Sequence, residues 1–107
     1  MDENVRRFRD FVAKDSVKVA LLEALSDGRW HSVLELWRRA KYAGRFVGMV
    51  TVGVALDEMR KLFPILEKND AAEVAEWRAS PDYLDLVRAL VRDILSQRSK
   101  FARPRLP

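Results

Sequence analysis

Phe46-Val47-Gly48-Met49-Val50-Thr51-Val52-Gly53-Val54-Ala55-Leu56-Asp57-Glu58-Met59-Arg60-Lys61-Leu62 is the stretch on which the fold turns. Val47, Val50, Val52 and Val54 favour a strand, and Gly48 and Gly53 each disfavour a helix by about 1 kcal/mol relative to Ala. Against this, Val52, Ala55, Leu56, Met59 and Leu62 recur at helical spacing. Asp57-Glu58 ahead of Arg60-Lys61 adds i, i+3 ion pairs in the favourable order. The longer period wins, and it predicts a helix over 49–62 that Pro64 forbids to continue.

Upstream, Ser32-Val33-Leu34-Glu35 reads as a capping box opening a short helix with Val33, Leu36, Trp37 and Ala40 inward. Lys41 to Arg45 reads as the turn into the decisive stretch. Before the box, Asp15 or Ser16 caps a helix whose Val17, Ala20, Leu21, Ala24 and Leu25 face inward, and Asp27-Gly28 ends it. Arg29-Trp30-His31 is a short extended segment. A first helix over 4–14 places Val5, Phe8, Phe11 and Val12 on one stripe.

Downstream, Ile65 to Lys68 and Val74 to Arg78 read as two strands around an Asn69-Asp70 turn. Ser80-Pro81-Asp82 is a helix start, with serine as N-cap and proline at the first helical position. The last helix carries Tyr83, Leu84, Val87, Leu90, Val91, Ile94 and Leu95, and a patternless basic tail follows.

The chain order is thus helix, helix, short strand, helix, turn, helix, hairpin, helix: mainly α, of the α+β class. Over residues 17–80 it resembles the winged helix–turn–helix family, in particular its small archaeal DNA-binding members. The residues that carry the likeness are Val17 to Gly28 as first helix and Trp30 to Leu36 as strand and second helix. Thr51 to Leu62 stands as recognition helix, and Ile65 to Lys68 with Glu76 to Arg78 as a two-stranded wing. The resemblance divides the chain into an N-terminal helix (1–15), a winged-helix domain (16–80), a C-terminal helix (81–99) and a basic tail (100–107).

The resemblance implies that the third helix of the motif enters a major groove. Arg38, Arg39, Lys41, Arg45, Lys61 and Lys68 are then the candidate phosphate contacts, and Thr51, Val54 and Arg60 the candidate base readers. Two features depart from a DNA surface. Asp57-Glu58 sits mid-helix, and the hairpin tip around Asp70 and Glu73 is acidic where such wings carry cations. They keep a second expectation open, a winged-helix module that binds another protein within a larger complex.

Leu84, Val87, Val91 and Ile94 approximate a seam along the last helix, and they predict a homodimer whose two recognition elements meet successive turns of a palindromic site. Trp30, Trp37 and Trp77 fall at inward positions and read as core. His31 reads as a partly exposed strand residue. Glu67, Asp70, Glu73 and Glu76 lack the spacing of a calcium loop and read as a solvated hairpin.

Composition bounds the rest. The chain has 107 residues, 49% hydrophobic and 34% charged, which is one domain's worth with enough apolar material for a core. It has no cysteine and a single histidine, so disulfides, thiolate zinc sites and His–His pairs are excluded. No nucleophile–base pair or glycine-rich phosphate loop is recognisable, so no enzyme, cofactor or metal is expected. No apolar run is long enough to cross a bilayer and the start is polar, which predicts a cytoplasmic protein without signal peptide or membrane partner. Three side-chain amides beside abundant Arg and Glu suggest a thermophile's composition. The net charge of +4 is unevenly spread. Arg38, Arg39, Lys41 and Arg45 stand against Glu35 alone, and the C-terminal region is basic again. These clusters suit a DNA surface, and the resemblance implies double-stranded DNA as the partner and transcriptional regulation as the role.

Overall fold

A computed structural model describes residues 2–43 and 47–102, the last five of them by backbone only. Among the described residues, five α-helices pack together and α2, α3 and α4 carry a small antiparallel sheet, an α+β architecture rich in helix.

Helix α1 (Glu3–Ala13) opens on Asp2, whose carboxylate accepts from the Asn4 backbone N–H, and it buries Val5, Phe8 and Val12. Helix α2 (Ser16–Leu25) is capped by Asp15, which accepts from Val17 N at 2.9 Å. This helix buries more than the predicted stripe. Val19 and Leu22 are buried beside Leu21, Ala24 and Leu25, while Val17 and Ala20 are only half-buried. The reason is position: α2 is packed by the other helices on several sides, so one stripe does not suffice. Even Lys18 is only 7% exposed. Its ammonium lies 2.9 Å from Asp15 and 3.4 Å from Glu58 and stands over the Phe11 ring, so a buried cation is paired across three helices.

Gly28 follows at φ +78°, the left-handed conformation that lets the chain leave α2. Strand β1 (His31–Ser32) leads into helix α3 (Val33–Tyr42), so Lys41 and Tyr42 belong to the helix and not to the predicted turn. Gly44 and Arg45 lie outside the described residues. Helix α4 (Met49–Leu62) has the predicted bounds and buries Val52, Ala55, Leu56 and Met59. Leu62, expected inward, is 40% exposed, because the chain turns extended at Phe63 and sends that ring into the core instead. Phe63 packs between Phe8, at 5.9 Å between ring centroids, and Tyr83, edge-on at 5.6 Å.

Strands β2 (Leu66–Asn69) and β3 (Glu76–Ala79) form the hairpin, and β1 joins the free side of β3 to give the order β1-β3-β2. Trp77 is central in register, opposite His31 on one side and Lys68 on the other. A single 3-10 turn (Pro81–Tyr83) precedes helix α5 (Leu84–Ala102). Ser80 stands at the predicted cap position but makes no side-chain cap bond. Its backbone N–H donates to Ile65 O at 2.7 Å, tying α5 to the start of the hairpin.

Helix α5 lies across α1 and α2. Arg9 pairs with Asp93 at 2.9 Å, and the Arg88 guanidinium donates to Ser26 O at 2.9 Å. Val87, Leu90, Val91 and Ile94 are buried in the core of the same chain, and Leu84 packs against it over Gly28. The predicted dimer seam of Leu84, Val87, Val91 and Ile94 is therefore corrected: one protomer already uses these side chains to close its own core. No helix of the described residues is long and apolar enough to cross a membrane.

Candidate nucleic-acid interface

Four residues separate the end of α3 from Val47, and the two helices are held together there by a side chain. Trp37 is half-buried, and its indole N–H donates to Val47 O at 2.7 Å. The ammonium of Lys41 stands 4.5 Å from the centre of the Trp37 ring, so Lys41 lies on the flank of α3 that faces the approach to α4. Arg38 lies on the solvent side of α3 and makes no ion pair with any described residue. Arg39 is on the other flank. It lines a groove between α2 and α3 with Glu23 and Tyr42, so the structure separates it from Lys41.

Along α4 the spacing i, i+4, i+7, i+11 puts Val50, Val54, Asp57 and Lys61 on the strip farthest from the core. Val50 is 82% exposed and Val54 53%. Thr51 is exposed one position further round, towards Glu58 and Leu62. Val50 has the signal that identified Val54, since it lies one turn earlier on the same strip.

The second half of the strip is closed upon itself. Arg60 donates to Asp57 Oδ1 at 2.8 Å, and Lys61 Nζ is 3.3 Å from Asp57 Oδ2. These hydrogen bonds, Arg60's first, hold the Asp57 carboxyl below its ordinary range. Arg60 also stands over the Trp77 ring, 5.6 Å from its centre. The predicted base reader Arg60 is thus engaged twice within its own chain. Glu58, the other mid-helix acid, is partnered by Lys18. The acidic pair that counted against a DNA surface is locally neutralised.

Between α4 and the sheet lies a cleft of about 430 Å³, lined by Val33, Met49, Val54, Lys68 and Trp77 among others. Lys68 reaches it from β2, 5.4 Å from the Trp77 ring centre and 3.2 Å from Asp70 Oδ1. Lys61 borders a different cleft, of about 700 Å³, between α1 and α4, together with Arg6, Arg7 and Lys14. The predicted phosphate contacts among the described residues therefore fall into four places. Arg38 and Lys41 are in the C-terminal half of α3, Arg39 is on its α2 flank, Lys68 is on the hairpin side of α4, and Lys61 is on its α1 side.

Other expectations are corrected here. Trp30 is 38% exposed, with the Arg78 guanidinium 4.6 Å from its ring centre, so it is not a core residue. Arg78 also donates to Glu67 at 2.7 Å. His31 is 6% exposed, not the partly exposed strand residue expected, and it is held between two carboxylates. Its Nε2 lies 2.9 Å from Asp27 Oδ2, and its Nδ1 bonds Glu35. The Glu35 carboxylate thus turns to His31, and only half of the predicted capping box forms: Ser32 Oγ accepts from Glu35 N at 3.1 Å.

Comparison with protein-family models, curated proteins and solved structures finds no match to this chain.

Proposed function

We propose that this chain is a small DNA-binding protein of winged-helix type, a transcriptional regulator that docks α4 in the major groove of duplex DNA. The succession α2, β1, α3, α4, β2, β3, with a β1-β3-β2 sheet, supports the winged-helix reading. The observation that carries the functional reading is a junction. Arg38, which makes no ion pair among the described residues, and the exposed Lys41 lie in the C-terminal half of one helix, and the uncovered Val50–Val54 strip begins the next. An exposed helix face that follows a helix bearing exposed cations suits a groove bordered by phosphates. On this reading Arg38 and Lys41 contact one phosphate strand, and Lys68, in the cleft beside α4, contacts the other.

Amide chemical-shift mapping tests the docking mode. Adding a 24-base-pair duplex is expected to move the signals of Arg38, Lys41, Val50, Thr51, Val54 and Lys68. Shifts confined to α1 and α5 would contradict it.

One observation favours a second reading, a protein-binding module. Met49, Val50, Val54 and Val74 are exposed apolar side chains near an acidic hairpin tip, a combination that also suits a protein partner. Under that reading neutralising Arg38 and Lys41 leaves partner binding unchanged, whereas under the DNA reading it weakens duplex binding at every sequence.

A further inference from the structure

The way α4 disposes of its polar groups limits how it reads bases. In the major groove, bidentate readout of guanine needs a free Arg or Lys, and of adenine an Asn or Gln. Helix α4 contains no Asn or Gln. Its cations Arg60 and Lys61 both sit on Asp57, in the C-terminal half of the helix. What its N-terminal half presents is Val50 and Val54 on the outermost strip, with the Thr51 methyl beside them. Gly53, between them in sequence, is half-buried, and a Cβ built on it would meet no atom within 4 Å, so the helix surface there is low and open.

Resting on the DNA reading above, we infer that this protein selects its sites through the C5-methyl groups of thymine, with Val50 and Val54 as the specificity-determining contacts. The thymine methyl is the one apolar group on the major-groove edge, and apolar side chains are its recognition partners. Burying one methyl against a valine is worth roughly fourfold in affinity. A helix whose two outermost side chains contact two such methyls discriminates by roughly sixteenfold. Charge complementarity supplies the docking itself: Lys68 lies in the cleft that Val50 and Val54 line, Arg38 and Lys41 stand on the helix that precedes α4, and all three meet phosphate, which every sequence offers. Affinity and selectivity are thus divided between the cations and the valines.

The test compares two 24-base-pair duplexes that differ only in that methyl, alternating d(AT) and alternating d(AU), by fluorescence anisotropy with the full chain at low salt. The d(AT) duplex is expected to bind roughly sixteenfold more tightly. In Val54→Ser and in Val50→Ser the ratio is expected to fall to roughly fourfold, and in the double variant towards one, with binding to d(AU) little changed. Both positions are exposed, and circular dichroism checks that the fold is kept. Equal affinity of the unaltered protein for the two duplexes overturns the inference while leaving the DNA reading intact. A ratio that persists in the double variant overturns the assignment to these valines. Failure to bind any duplex overturns the DNA reading and the inference together.

Discussion

Arg60 donates a hydrogen bond to Asp57 at 2.8 Å, one turn back along the exposed side of α4, and Lys61 approaches the other oxygen of the same carboxylate. The carboxylate keeps two cations of the candidate recognition helix occupied. Asp57→Asn is expected to release them and to tighten duplex binding about three- to tenfold at low salt, with a salt slope steeper by about one. Unchanged affinity in an anisotropy titration would mean that the C-terminal half of α4 stays clear of DNA.

The separation of Arg39 from Arg38 and Lys41 makes a graded prediction. Arg38→Ala and Lys41→Ala are each expected to weaken binding to all duplexes alike and to lower the salt slope by about one. Arg39→Ala, on the α2 flank, is expected to change the slope by much less. Equal losses at all three positions would show that the α2 flank also faces the phosphates.

His31 ties the end of α2 to the start of α3, and it makes stability depend on pH. Burial disfavours its charge, but the hydrogen bonds and charges of Asp27 and Glu35 outweigh burial and raise its pKa above the ordinary 6.5. The folded state therefore binds the proton more tightly than the unfolded chain. That contribution is complete below pH 6.5 and is lost as pH rises through the raised folded value. Urea denaturation between pH 6 and 9 is expected to show wild-type stability falling relative to His31→Gln. Parallel curves would rule the clamp out as a source of pH dependence.

Gly28 joins backbone conformation to packing. Its φ is +78°, and a Cβ there would lie 2.8 Å from Leu84 Cδ2. Gly28→Ala is expected to cost about 1–2 kcal/mol in urea unfolding, from the left-handed backbone and the displaced leucine. In the double variant with Leu84→Ala the steric part disappears, so the two losses should sum to more than the measured total. Strict additivity would place the whole cost in the backbone.

The elements themselves were legible because each had its own local signal. Asp15 caps α2, Gly28 ends it, and the bounds of α4 follow from a period that its valines did not mask. The failures are tertiary. No local pattern says that α2 will be packed from several sides, that Leu62 will yield its place to Phe63, or that α5 will spend its apolar seam on its own core. At the site, the residue types on α4 and at the end of α3 were readable, but their partners were not. Sequence spacing placed Arg60 and Asp57 within reach of each other, yet only packing set Arg60 and Lys68 over Trp77 and put Arg39 against α2. His31 lacked a readable environment for the same reason. Its partners come from the turn after α2 and the first turn of α3, and the strand that carries it pairs with Trp77 from far along the chain.

The central claim is that the cations on α3 and beside α4 hold duplex DNA by its phosphates, and a salt titration of the dissociation constant tests it most directly. With Arg38, Lys41 and Lys68 engaged, the plot of log K against log salt concentration is expected to be linear with a slope of about −3. A flat plot, or no binding to duplex at low salt, would contradict the account.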